Sequence, residues 1–381
     1  KRFGDVFSFI STNSITRDSL NYDKVNVRNI HYGDIITKFQ SVFCLENENV
    51  PYINKNVDLA RYKEYNYCRI GDLIIADASE DYEAIGSIIE IKSLNNEKIL
   101  AGLHTIHARP ESNTFFVGFN AFMMKSWSVK YQIMIIAQGA KVLGISAKRL
   151  AKLKLNLPSF KEQQKIASFL TSVDKKINLL TKKKALLKTY KKGVIQKIFS
   201  QEIRFKDEVG KDFPDWEDKK LCDIAFKVSS NISANKIENN FGDYVIYGAS
   251  GVLKKIDFYK EQNRYISIVK DGAGVGRVFI CESYSSVLGT MDIIKPQENI
   301  NLYFLYAILG RVSFKKYTTG SSIPHIYFKD YSLDKIKVPS LGEQQKIASF
   351  LSSIDKKIEL VDFQLERNKE FKKGLLQKMF V

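Results

Sequence analysis

The sequence predicts an α+β chain: two strand-rich globules separated by a long antiparallel two-helix coiled coil with pseudo-two-fold symmetry. Three observations predict it. The chain repeats itself at an offset of 181 residues, each repeat copy carries an apolar seam in steps of four and three, and the segments outside the copies place Gly-Asp turns before β-rich runs.

The repeat comes first, because a missed repeat misassigns the whole architecture. The stretch from Leu157-Pro158-Ser159 through Glu162-Gln163-Gln164-Lys165-Ile166-Ala167-Ser168-Phe169-Leu170 returns as Val338-Pro339-Ser340 through Glu343-Gln344-Gln345-Lys346-Ile347-Ala348-Ser349-Phe350-Leu351. It continues without a gap to Ser200 and Val381, Phe199 matching Phe380 on the way, with 24 of 44 aligned pairs identical. A weaker echo relates Lys220-Leu221-Cys222-Asp223-Ile224 to Arg2-Phe3-Gly4-Asp5-Val6. The chain therefore divides into 1–156, 157–200, 201–337 and 338–381, read as globule, helix, globule, helix.

Each copy opens on Pro-Ser-x-x-Glu, the pattern of a capping box in which the Ser hydroxyl accepts the N3 amide and Glu reaches back. No proline follows within either copy. The seam runs Ile166, Leu170, Val173, Ile177, Leu180 in the first and Ile347, Leu351, Ile354, Ile358, Val361 in the second. Such spacing suits a coiled coil better than the broader stripe of a helix docked on a sheet. Lys184 and Lys191 interrupt the first seam, Asn368 and Lys372 the second, and polar seam positions of this kind fix register. At 1.5 Å per residue, about 38 residues span roughly 57 Å. If one helix carries the chain out to the second globule, an antiparallel partner returns it.

The globules read as strands with a few helices. Tyr32-Gly33-Asp34-Ile35-Ile36, Ile70-Gly71-Asp72-Leu73 and Phe241-Gly242-Asp243-Tyr244 each set a turn before a β-rich run. Tyr265–Val269 and Gly276–Ile280 flank a glycine-rich turn as a hairpin would, and Leu302–Leu309 is a short apolar helix.

Composition narrows the function. With 44% hydrophobic and 27% charged residues, the 381-residue chain can build real cores. No run approaches 18 apolar residues, so no membrane span is expected. Cys44, Cys68, Cys222 and Cys281 are scattered, which argues against a disulfide scaffold or zinc ribbon and for reduced thiols in a cytoplasm. The opening Lys1-Arg2-Phe3-Gly4-Asp5 has neither an initiator Met nor an apolar leader, and reads as a chain whose first residues are missing. A formal charge of +17, from 59 basic and 42 acidic residues, points to a polyanion. The first helix copy holds eleven basic residues against two acidic ones, including Lys182-Lys183-Lys184, Lys188, Lys191 and Lys192. That run is a solvated face, a track for DNA, or a surface for an acidic partner.

No Walker A motif, methyltransferase Asn-Pro-Pro-aromatic tetrad or nucleophile–base pairing is present, so no catalytic residue is assigned. Asp271-Gly272-Ala273-Gly274-Val275-Gly276 has the glycines of a cofactor loop but no convincing βαβ context. A hairpin turn flanked by Lys270 and Arg277 is the better reading, since glycine lets backbone approach phosphate. His104-x-x-His107 lacks the companions of a metal site and is read as a structural pair, so no metal is expected.

Two P-S-x-x-E-Q-Q-x-I-headed helices, each following a globule, resemble the specificity subunit of type I restriction–modification systems. The resemblance covers the whole chain. Trp216-Glu217-Asp218-Lys219-Lys220-Leu221, opening the second globule, and Gly320-Ser321-Ser322-Ile323-Pro324-His325-Ile326, near its close, extend it. The first globule lacks the Trp-led segment, and its closing loop, Gln138-Gly139-Ala140-Lys141-Val142-Leu143-Gly144-Ile145, lacks the Pro-His pair.

The resemblance implies that each globule is a target recognition domain for one half of a bipartite site on double-stranded DNA. It implies that the helices pair antiparallel and dock two methyltransferase subunits, with restriction (motor–nuclease) subunits joining further out. S-adenosylmethionine, ATP and Mg would then belong to those partners, with no cofactor in this chain. Near-identical helices beside unlike globules predict an asymmetric target. Candidate DNA contacts in the second globule are Lys270, Arg277, Ser321, Ser322 and His325, with Tyr247, Ser250 and Lys254 from a second glycine-flanked loop. In the first globule the analogues are Ser79, Tyr82, Gln138 and Lys141, each weighed against an ordinary surface turn.

Overall fold

The computed structural model describes residues 1–111 and 114–380. The chain falls into two compact units: unit 1 comprises Lys1–Lys182 with Asp362–Val381, and unit 2 comprises Lys183–Val361. Two long helices, Phe160–Phe199 and Leu341–Lys378, each contribute residues to both units. No helix among the described residues is long and apolar enough to cross a membrane.

Unit 1 is built on a five-stranded sheet of β1 (Phe7–Ile10), β2 (Val42–Cys44), β3 (Leu73–Ala76), β4 (Ile88–Ser93) and β5 (Thr105–Pro110), in the order β1-β5-β3-β4-β2. The β3 run is buried along its whole length because both faces are covered. Leu73 and Ile75 enter a core with Ile166, Leu170 and Phe380 of the helical segments. Ile74 and Ala76 point into a second core with Phe43, Ile89 and Ile99.

Unit 2 repeats the scheme with β6 (Ala225–Ser229), β7 (Tyr265–Val269), β8 (Val278–Cys281) and β9 (Met291–Pro296), in the order β6-β9-β7-β8. Here Ile266 and Ile268 pack with Val194, Ile198, Ile347 and Leu351, while Tyr265 and Val269 pack with Tyr247 and Val287. The registers match as well. Pro110 ends β5 opposite Phe7, and Pro296 ends β9 opposite Ala225. β7 and β8 form the expected antiparallel hairpin, and the helix Leu302–Leu309 has the expected bounds.

The long helices carry one ion pair twice. In unit 1 Asp174 pairs with Lys372 at 2.5 Å, and in unit 2 Lys191 pairs with Asp355 at 2.6 Å. Each Asp and each Lys lies 181 residues from its counterpart, so two of the polar seam interruptions are met by acids on the other helix. Among seam positions, Leu170, Ile347 and Leu351 are fully buried, and Ile166, Val173, Ile354 and Val361 are nearly so.

Three expectations need correction. Ile177, Leu180 and Ile358 are only half-buried: Ile358 packs at the margin of the unit 2 core, where part of its side chain stays in water. The Tyr32–Thr37 run is a helix rather than a strand: the His31 ring accepts from the Gly33 amide, and Arg17 and Lys38 grip Asp34. The capping boxes are incomplete. Ser159 accepts the Glu162 amide at 3.4 Å, whereas the Ser340 hydroxyl has no partner and Glu343 turns to other groups. The helix starts are instead fastened by glutamine. Gln163 accepts from the Phe116 amide and donates to Pro158 O, and Gln344 accepts from the Asn301 amide and donates to Pro339 O.

Candidate nucleic-acid interface

In unit 2 the β7–β8 turn and the closing loop 319–325 form one surface. Thr319 and His325 exchange both backbone hydrogen bonds at 2.8 Å, closing a tight loop of the five residues between them. Gly320 sits at φ +88°, where an added Cβ would lie 2.3 Å from the Ile323 carbonyl, so only glycine closes this loop. Ser321, Ser322 and Ile323 are exposed at its tip. The loop is tied to the turn by Gly272 N–H donating to Pro324 O at 2.9 Å and Ile326 N–H donating to Lys270 O at 3.0 Å.

His325 is held on two sides. Its Nδ1 is hydrogen-bonded to the Asp271 carboxylate, and its ring lies 4.1 Å from that of Tyr327. A carboxylate only accepts, so Nδ1 is the donor and Nε2 of the neutral ring becomes an acceptor. Arg277 is exposed, with one nitrogen donating to Ala249 O at 3.2 Å. Ser250 is exposed in the adjoining hairpin, beside the Gly248–Gly251 pair.

Unit 1 makes the same construction from different residues. Gln138 and Gly144 exchange backbone bonds at 3.0 and 2.7 Å, and Ile145 N–H donates to Asp77 O at 2.9 Å. At Gly139 a Cβ would meet the Val142 carbonyl at 1.8 Å. The offset of 181 therefore extends upstream of the helices, pairing Gln138–Ile145 with Thr319–Ile326. Only the closing glycine and the terminal isoleucine are shared, which leaves little signal in the sequence. Ala140, Lys141 and Val142 occupy the tip, Gln138 is exposed at its base, and Tyr82 is exposed in the segment that follows Ser79. A cleft of about 520 Å³ beside them is lined by Asp77, His104, Gln138, Val142, Ser146 and Arg149.

Several candidates have side chains that are engaged within the fold instead. Tyr247 is core, 8% exposed, its hydroxyl accepting from the Glu282 amide, because it packs with Tyr265 and Val287 beneath the surface. Ser79 is equally buried and accepts the Asp81 amide as an internal turn. Lys254 donates to the carbonyls of Ile237 and Glu238, at the end of the helical turn Ala234–Ile237, and covers the Phe241 ring. A cation is favoured there by the carbonyls that end the helical turn. Lys270 is mostly buried and faces Asp292 at 3.4 Å, so its charge is already partnered.

The two histidines of His104-x-x-His107 are separately engaged, His104 with Asp77 and His107 with Asp72. Burial alone would raise the Asp72 carboxyl. Bonds from His107 and Arg109 outweigh it and hold that group below its ordinary range.

The family model for the type I restriction modification DNA specificity domain matches residues 2–189 and 214–367. A candidate MjaX specificity subunit of a type I restriction enzyme from Methanocaldococcus jannaschii is 26% identical over 382 residues, covering 94% of this chain and 86% of that protein. Among solved structures, the S subunit of a type I restriction-modification system from M. genitalium superposes with a TM-score of 0.66 at 15% identity, covering 100% of this chain and 95% of that one. A chain from a study of complex assembly and conformational transition in the type I R-M system gives 0.56 at 14% identity, covering 100% and 96%. Matched over most of its length and sharing their fold, this chain belongs to the type I restriction-modification DNA specificity family.

Proposed function

We propose that this chain is the sequence-reading subunit of a type I restriction–modification assembly, with the loop surface of each unit reading one half of an asymmetric bipartite DNA site. The observation that carries this reading is the recurrence of one loop architecture with unlike tips: Ala140-Lys141-Val142 in unit 1 and Ser321-Ser322-Ile323 in unit 2. In both, backbone bonds hold the loop, so tip side chains vary without cost to the fold. Short hydroxyls and a lysine suit base edges, while exposed Arg277 suits phosphate.

In this proposal the segments 157–200 and 338–381 form an antiparallel coiled coil with pseudo-two-fold symmetry between the globules 1–156 and 201–337. The twice-used Asp–Lys pair supports that arrangement, since an early residue of one helix meets a late residue of the other each time. The coiled coil docks two methyltransferase subunits, with motor–nuclease subunits joining beyond them in the cytoplasm. Chemistry, together with S-adenosylmethionine, ATP and Mg, resides in those partners. A methyltransferase of its own is disfavoured because the Asp271–Gly276 turn closes a hairpin and spends the Gly272 amide on Pro324 O.

The test exchanges residues 201–337 for the second globule of another family member and sequences the methylome of a host carrying the system. One half-site should change, while the other half and the spacer stay fixed. Changes in both halves together would refute independent readers.

A further inference from the structure

The backbone around the unit 2 loop can be followed residue by residue in unit 1. Ala76 N–H donates to Ser87 O as Val269 N–H donates to Arg277 O, and Asp77 N–H donates to His104 O as Lys270 N–H donates to Thr290 O. Ala78 lies opposite Gly144 as Asp271 lies opposite His325. The helical turns that follow, Ala147–Leu150 and Phe328–Tyr331, keep the offset of 181.

The side chains that crowd the foot of the unit 2 loop have no counterparts at these positions. Ala78 and Gly144 stand where Asp271 bonds His325, and Ser146 stands where the Tyr327 ring lies against the imidazole. The space they leave is the cleft of about 520 Å³ beside Gln138. Its wall carries a different imidazole. His104, at the position of Thr290, has a half-exposed side chain with Nδ1 3.4 Å from the Asp77 carboxylate, and the Tyr32 ring stands edge-on to it at 5.3 Å. With Nδ1 turned to a group that only accepts, Nε2 of the neutral ring is left as an acceptor, as in His325. His104 holds this place at φ +55°, a conformation that glycine adopts freely. The cation has moved as well. Ser87 stands where unit 2 has Arg277, and Arg149 stands where unit 2 has Asp330. Arg149 lines the cleft, donates from one nitrogen to Ile136 O at 3.2 Å, and pairs with no acid among the described residues.

We propose that His104 and Arg149 are DNA contacts of unit 1, His104 meeting a base edge through Nε2 and Arg149 a phosphate of the same half-site. This rests on the DNA-reading function proposed above and names residues that carry it in unit 1. An acceptor suits the exocyclic amino group of adenine or cytosine in the major groove, and a guanidinium without an acid suits phosphate. Each unit then sets one Asp-held imidazole at the foot of its closing loop, drawn from different positions in the chain.

The test uses the full chain assembled with its methyltransferase, and a duplex carrying the site that the host methylome defines. Affinities are measured for that duplex and for single mismatches in each half, at two salt concentrations. His104→Gly removes the ring and suits φ +55°. It should lower the penalty for mismatches at one base pair of the unit 1 half by about tenfold or more. Intact penalties in the other half report correct folding and assembly. Arg149→Ala should weaken matched and mismatched duplexes alike and lower the salt slope by about one. Unchanged penalties throughout the unit 1 half in His104→Gly would overturn the role of His104, and an unchanged slope that of Arg149. Exchange of residues 1–156 for the first globule of another family member separates this proposal from the reading beneath it. If the exchange rewrites one half-site while His104→Gly leaves that half intact, the reading stands and the role of His104 falls. If the exchange alters neither half, both fall.

Discussion

In unit 1 the turn of helix at Phe119–Met123 is held from across the sheet. Glu90 of β4, fully buried, accepts from the amides of Gly118 and Ala121 at 2.8 Å. In unit 2 the corresponding helix, Leu302–Leu309, is capped locally: Asn301 accepts from the amides of Tyr303 and Phe304, and Ile280 takes the place of Glu90 in the sheet. Both units keep a left-handed residue just before the helix, Gly118 at φ +98° and Asn299 at φ +61°. What persists between the units is backbone geometry and strand order. What varies is the side chain that satisfies each orphan amide. The same division governs the loop surfaces, where backbone bonds persist and tips diverge, and it explains how one scaffold can present two different readers.

The comparison breaks hardest at the helix starts. Glu343→Ala leaves Arg204 and Trp216 without their acceptor and should cost unit 2 on the order of 3–5 kcal/mol. Glu162→Ala in unit 1, where the side chain is exposed, should stay within about 0.5 kcal/mol. Denaturant-dependent hydrogen exchange, read separately in each unit, would check both, and equal costs would mean that the two carboxylates stand in like surroundings.

The seam comes next. Leu170→Ala and Leu351→Ala should each cost about 2–5 kcal/mol. Ile177→Ala and Ile358→Ala, half-buried, should cost about 1–2 kcal/mol by thermal unfolding. An unchanged melting temperature in Leu170→Ala would contradict its burial.

Titration separates the buried carboxyls of unit 1 by sign. Burial raises the Glu90 carboxyl to about 7 despite the bonds it accepts. An acid with a raised folded-state pKa binds its proton more tightly in the native state. Unit 1 is therefore favoured below the ordinary value near 4.5 and loses on the order of 3 kcal/mol as pH rises from there to about 7. Depressed carboxyls such as Asp34 and Asp72 complete their opposite contribution below that window. Stability measured against pH should show a fall in the parent that Glu90→Gln removes. A parallel fall in both would assign the effect elsewhere.

The smallest effects concern the readers. Lys141→Ala and Ser322→Ala should each relax discrimination in one half-site only, by roughly 1–3 kcal/mol. Arg277→Ala should weaken binding to all sequences and lower the salt slope by about one, with Lys270→Ala falling short of that because Asp292 already holds its ammonium. Affinities for matched and mismatched sites at two salt concentrations, with the methyltransferase present, would decide.

The helices and the two central strands were legible in the sequence because periodicity and internal identity are local properties. Ile166 and Leu170 announce a seam by spacing alone, and the β-rich run from Leu73 after its Gly-Asp turn announces a strand. The folded chain alone assigned the partners. Glu343 reads from sequence as a capping residue, yet it faces Arg204 and Trp216, more than 120 residues earlier, because burying a carboxylate demands donors and the fold brings those. Tyr247 reads as a loop residue and proves to be core, since a neighbouring strand covers it. The kinship of Gln138–Ile145 with Thr319–Ile326 rests on backbone hydrogen bonds and one forced glycine, so almost any tip sequence satisfies it and composition could not reveal it.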